Sequence, residues 1–130
     1  MTAVDTNILV RVITRDAEPQ ATRAFALLRK QERIFIAKTV LLEMEWVLRR
    51  TYGYSPTQIL AVYRELLETP KMQIEDETAV VQALSFYERG MDFADSLHIA
   101  SAGPGCAFAT FDAALQRLAE RFDICKVVRL

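Results

Sequence analysis

The sequence predicts an α/β fold: a three-layer α/β/α sandwich with a central, mostly parallel sheet. Short β-prone runs alternate with amphipathic segments of helical length, and each such segment is long enough to be the crossover that parallel strands require. The 130 residues are 52% hydrophobic, so residues 1–130 read as one domain able to bury a core without disulfides or a structural metal.

Thr2 to Val4 is the first strand, and Asp5-Thr6-Asn7 after it can cap a helix marked by Ile8, Leu9, Val12 and Ile13. A second helix runs from about Glu18 to Arg29, where Ala21, Ala24, Phe25 and Leu28 recur on one face. Arg33 to Ala37 is a buried strand, and a helix from about Val40 to Arg50 follows and ends near Gly53. Ser55-Pro56-Thr57-Gln58 is a helix start of the capping-box kind, and Ile59, Val62, Tyr63 and Leu66 supply its apolar stripe. Pro70 closes that helix. Lys71 to Ile74 is a strand, and Asp76 opens a helix whose Val80, Ala83, Leu84 and Tyr87 share a face until Gly90. Asp92 or a neighbour opens a helix through Ala102, Ala107 to Ala109 is a strand, Asp112 opens a helix to about Arg121, and Ile124 to Val128 is the last strand.

Charge and composition narrow the function. Sixteen basic and 17 acidic side chains give a net charge of -1, so the chain lacks the basic footprint of a protein that grips nucleic acid by charge alone, and any such contact must be local. Ser96 to Phe111 is the longest stretch without a formal charge, but its His, Ser, Gly and Pro residues do not suit a bilayer. Neither a basic n-region nor an apolar h-region follows Met1, which predicts a cytoplasmic protein. Cys106 and Cys125 lack metal or redox-motif spacing and read as buried, reduced thiols.

In doubly wound sheets ligands sit beyond the carboxyl ends of the strands, and acids fall there. Asp5 follows the first strand directly, Asp112 follows the fourth after Thr110-Phe111, and Glu43 and Asp95 sit in the first turns of their helices. Each acid alone reads as a helix cap. Their convergence at one sheet edge would be costly without a cation, because carboxylates about 4 Å apart repel by ~4 kcal/mol at a partly shielded site. Oxygen-only ligands suit Mg2+, with Mn2+ as a substitute, rather than zinc, for which the lone His98 is insufficient. The chemistry such a cation best supports is water attack on a phosphodiester. His98 itself reads as a packing or hydrogen-bonding residue, Glu45 as pointing away from the ligand Glu43 serves, and Trp46 as core or dimer surface. Arg11 with Arg15, at i and i+4, and Arg49-Arg50 are local basic pairs that could guide a phosphate backbone.

Four segments, Val4-Asp5-Thr6-Asn7, Leu41-Leu42-Glu43-Met44-Glu45-Trp46-Val47-Leu48, Asp92-Phe93-Ala94-Asp95-Ser96-Leu97-His98 and Ala109-Thr110-Phe111-Asp112, together resemble the PIN-domain family, and within it the VapC-type toxins of toxin–antitoxin pairs. The resemblance spans nearly the whole chain. It implies a metal-dependent endoribonuclease leaving 5′-phosphate and 3′-hydroxyl ends, a homodimer, and neutralisation by a small antitoxin. By position, Asp5, Glu43, Asp95 and Asp112 match the family's acidic quartet, and Asn7 and Thr110 match polar positions beside it. Thr6 and Asp92 join them as residues that position the acids or the substrate, although Asp92 can equally be an N-cap, with Asp95 reaching back to it. The Ala102-Gly103-Pro104-Gly105-Cys106 run is a tight connection that could alter the groove edge.

Two other readings compete. A receiver-like, Mg2+-binding phospho-switch needs adjacent acids after the first strand, an Asp ending the third and a Lys ending the fifth; here one acid stands at Asp5, Glu75 follows Ile74, and Lys126 falls inside the last strand. A catalytically silent interaction domain would use every acid as a cap.

Overall fold

Strand β1 (Thr2–Ala3) lies beside β2 (Ile34–Ile36), which lies beside β3 (Met72–Ile74), and both pairings are parallel. Thr2 stands opposite Ile34, and Ile34 opposite Met72. A computed structural model describes all of residues 1–130 in this way, as two compact units, Met1–Glu77 and Thr78–Leu130. The middle strand of the first unit is Ile-Phe-Ile, with both isoleucines fully buried, as suits a strand flanked on both edges in a parallel sheet.

Helices α1 (Thr6–Thr14) and α2 (Gln20–Lys30) form the crossover from β1 to β2, and α3 (Lys38–Arg50) and α4 (Pro56–Glu68) the crossover from β2 to β3. Asp5 caps α1, and Ser55 with Gln58 forms both halves of a capping box on α4. Leu9, Val10, Leu41, Met44, Leu48, Ile59 and Tyr63 are among the buried residues these helices contribute, and the Tyr63 hydroxyl donates to the Leu41 carbonyl. Two helix starts differ from expectation. Helix α2 begins at Gln20 rather than Glu18, because the Asp16 carboxylate accepts the Ala17 N–H and Ala17 adopts φ 60, which holds the preceding turn out of the helix. Helix α3 begins at Lys38 rather than Val40. Its N-cap, Ala37, offers no side chain, and Glu75 at the end of β3 accepts the Lys38 N–H at 2.8 Å instead.

The second unit runs α5 (Glu77–Glu88), α6 (Phe93–Ala102), β4 (Phe108–Thr110), α7 (Ala113–Arg121) and β5 (Val127–Arg129), with β4 and β5 paired in parallel. Glu77, the first residue of α5, is the last of the first unit. Val80, Ala83, Leu84 and Tyr87 are buried as the spacing predicts, and the Tyr87 and Phe93 rings meet edge to face at 5.4 Å. The last strand starts three residues later than the apolar run suggests. Asp123 adopts φ 51 and the Ile124 N–H closes back on the Ala119 carbonyl at 2.9 Å, so Ile124 finishes α7 in a Schellman-type end rather than opening β5. Lys126 therefore precedes the strand instead of lying inside it.

The cysteines require a correction. Cys106 is exposed and Cys125 is half-buried, both as free thiols. Each sits on the connecting segment just before a strand, and such segments run over the surface. Gly103 and Gly105, at φ 89 and 81, supply the left-handed backbone that lets the connection before Cys106 turn tightly. No helix is long and apolar enough to cross a membrane.

Candidate active site

In the first unit, the chain leaves β1 through buried Val4 and turns at Asp5, whose Oδ1 accepts the Ile8 N–H at 3.2 Å. Thr6, the first helical residue, is buried and donates its hydroxyl to Glu43 Oε1. The hydrogen bond fixes Glu43 beside the residue that follows Asp5. Asp5 and Asn7 line a groove of about 450 Å3 with Ile8, Arg11, Gln20 and Arg23. Arg11 is held there, its Nε donating to Gln20 Oε1 at 3.0 Å and its Nη1 to the Tyr52 hydroxyl at 3.0 Å. Tyr52 donates in turn to Asp16 at 2.9 Å, the main reason the Asp16 carboxyl lies below its ordinary value. Arg15 does not share this groove. The helix ends at Thr14 and Arg15 takes φ 53, which swings it off the face of Arg11 to stack over Phe25 at 5.3 Å.

In the second unit, Asp92, Asp95 and Asp112 line one cavity of about 200 Å3, with Gly90, Met91 and Leu115. Asp92 caps α6 by accepting the Asp95 N–H at 3.2 Å. This is the forward half of the cap foreseen for the pair. Asp112 caps α7, its Oδ1 accepting the N–H groups of Ala114 at 2.8 Å and Leu115 at 3.2 Å, while Thr110 Oγ1 accepts the Asp112 N–H at 3.1 Å. Thr110 therefore orients Asp112. Burial raises the pKa of Asp95, and the charges of Asp92 and Asp112 raise it further, while His98, one turn along α6, opposes them. Two carboxylates thus bear on the charge of a third. His98 is exposed, so a packing role does not hold for it; its influence reaches Asp95 through space.

The donor chemistry is oxygen throughout, which suits a hard divalent cation, and the mutual repulsion around Asp95 is what such a cation would relieve. As the side chains stand, no group of three or more His, Cys, Asp or Glu is arranged to hold a metal ion. The family model described as PIN domain matches residues 2–121, running through both units. The chain belongs to the PIN-domain family. No curated protein matches it.

The parallel α/β architecture of this PIN domain agrees with the α/β/α fold class expected of it. PIN domains are generally nucleases, which supports a nuclease role and makes nucleic acid the substrate class. Several neighbours of the acids escape sequence reasoning. Gln20 and Tyr52 hold Arg11, and Arg23 lines the groove of Asp5. Phe111, between Thr110 and Asp112, is 80% exposed; its position beside Asp112 was the only available signal. Glu45 is buried and paired with Arg49 at 2.8 Å, a structural use for that carboxylate. Trp46 is a surface residue, 54% exposed.

Proposed function

We propose that this PIN domain is a Mg2+-dependent endoribonuclease, able to use Mn2+, and the toxin of a VapBC-type toxin–antitoxin pair. It would act in the cytoplasm as a homodimer, cut RNA to leave 5′-phosphate and 3′-hydroxyl ends, and be neutralised by a small antitoxin. The observation that carries the metal-dependent reading is Asp95 held between the like charges of Asp92 and Asp112 along one cavity. Asp95 and Asp112 would supply oxygen ligands there, with Asp92 and Thr110 keeping them oriented. Asp5 and Glu43 join them as catalytic acids on their positional match to the family, with Thr6 and Asn7 as their supports. A divalent cation supplies Lewis acidity to this reaction, lowering the pKa of the attacking water and offsetting charge on the phosphate oxygens. The protein's own part is to orient the phosphodiester, with Arg11 and Arg23 offering charge to the backbone, and to accept the water's proton on a carboxylate oxygen. Arg15, over Phe25, is outside this set. Phe111 offers a ring on which an unpaired base can stack.

A second reading has an observation of its own: Asp5, Asp92 and Asp112 all cap helices, as they would in a catalytically silent interaction domain. Substitution at Asp112 separates the two. Asn keeps an acceptor for the Ala114 and Leu115 N–H groups, whereas Ala removes it at a cost of about 1 kcal/mol. On the nuclease reading, Asp112→Asn abolishes Mg2+-dependent cleavage of single-stranded RNA at unchanged thermal midpoint, Asp112→Ala loses activity and stability together, and a chelator silences the wild type. Wild-type cleavage that survives Asp112→Asn, or no cleavage and no Mn2+-induced rise in midpoint at millimolar metal, would leave the acids as caps.

A further inference from the structure

The two cysteines lie in the same unit, and the proposed chemistry uses neither. Strands β4 and β5 pair with Phe108 opposite Val127, and the Phe108 N–H donates to the Lys126 carbonyl at 2.9 Å. Continued two residues back at the same offset, this register sets Cys106 opposite Cys125. Neighbouring parallel chains run about 4.8 Å apart, within the roughly 4.4–6.8 Å between Cα atoms that a disulfide spans. Both residues line one cavity of about 250 Å3, alongside Phe86, Ile99 and Lys126. Burial pushes the Cys125 thiol up, and Cys106 pushes it further the same way, so the two sulfurs feel each other. Cys106, exposed, is the one open to reagents.

We propose that Cys106 and Cys125 are a reversible dithiol–disulfide pair, a modification site closed by a low-molecular-weight disulfide such as oxidised glutathione. The Cys106 thiolate attacks one sulfur of the reagent, forming a mixed disulfide and releasing one thiolate. The Cys125 thiolate then attacks Cys106 Sγ and expels the second. The two protein thiols lose two electrons and two protons, and the reagent becomes two thiols. The ring so closed contains Thr110, Asp112 and the whole of α7, so oxidation ties down the segment that carries Asp112. Because the Cys125 thiol sits above its ordinary value, the closing step quickens as pH rises.

The test uses the full-length protein with oxidised glutathione, an alkylating quench and intact mass. Wild type should lose about 2 Da and both alkylatable thiols, and trypsin should release peptide Gly90–Arg117 joined to Phe122–Lys126. Reductant should reverse the change, and the oxidised protein should melt higher than the reduced one. Cys125→Ser should stop at the glutathione adduct on Cys106. The proposal is overturned if wild type also stops at that adduct, if it cross-links between chains through Cys106, or if both thiols stay unreacted in excess reagent. None of these outcomes depends on nuclease activity.

Discussion

Asp95 shows how a single side chain can be costly in the resting protein. Its carboxyl is raised above 3.8, chiefly by burial and then by Asp92 and Asp112. An acid whose pKa is raised by folding leaves the native state fully stable below its unfolded value, and that stability is lost as pH rises through the folded value. At neutral pH the cost is therefore complete, and Asp95→Asn should remove it. In chelator, the variant should exceed wild type at pH 7 by no more than about 1 kcal/mol, since solvent screens a half-buried group, and the gain should vanish below pH 3.8. Chemical denaturation across that range checks it, and a variant less stable than wild type at pH 7 would contradict it. At this scale the caps were legible. Asp5, Asp92 and Asp112 each act on N–H groups two or three residues away, so spacing alone exposes them. The exposure of Phe111 and Cys106 was not legible, because an apolar neighbourhood in sequence does not decide which face of a loop meets water.

The elements are positioned in part by polar contacts between residues distant in the chain, and there the sequence says little. Thr6 and Glu43 are 37 positions apart, as are Lys38 and Glu75. No local pattern announces that a carboxylate ending β3 will start α3 in place of a missing cap, which is why the helix begins two residues before its expected start. Ser55 and Gln58, three apart, were readable at once. The hydroxyl of Thr6 links α1 to α3 and steadies Glu43. Thr6→Val keeps the shape and removes the donor, so it should cost about 1–2 kcal/mol and reduce turnover more than it changes substrate affinity. Thr6→Ser should restore both. Turnover of the Val variant equal to wild type would mean that Glu43 needs no such support. The late start of β5 has a comparable origin: the apolar run is real, but its first member is consumed in ending α7.

For the whole chain, a net charge of -1 limits how nucleic acid can be held. Neutralising two phosphates, as Arg11 and Arg23 would, predicts a log–log salt dependence of roughly -1.4 for single strands, about -0.7 per phosphate. Binding of a labelled RNA to Asp112→Asn at several salt concentrations measures it. A slope several times steeper would reveal a basic surface beyond these arginines. In the same assay Phe111→Ala should weaken binding at unchanged slope, by about 1–3 kcal/mol if one base stacks there. The fold class was legible because alternating strand and helix runs leave few arrangements for a chain this long. The acids at strand ends followed from that class, whereas the way they are supported did not. The chain's one tryptophan, Trp46, stands exposed on α3, which makes it an intrinsic optical probe. A second copy or an antitoxin that covers α3 would shift its fluorescence to the blue.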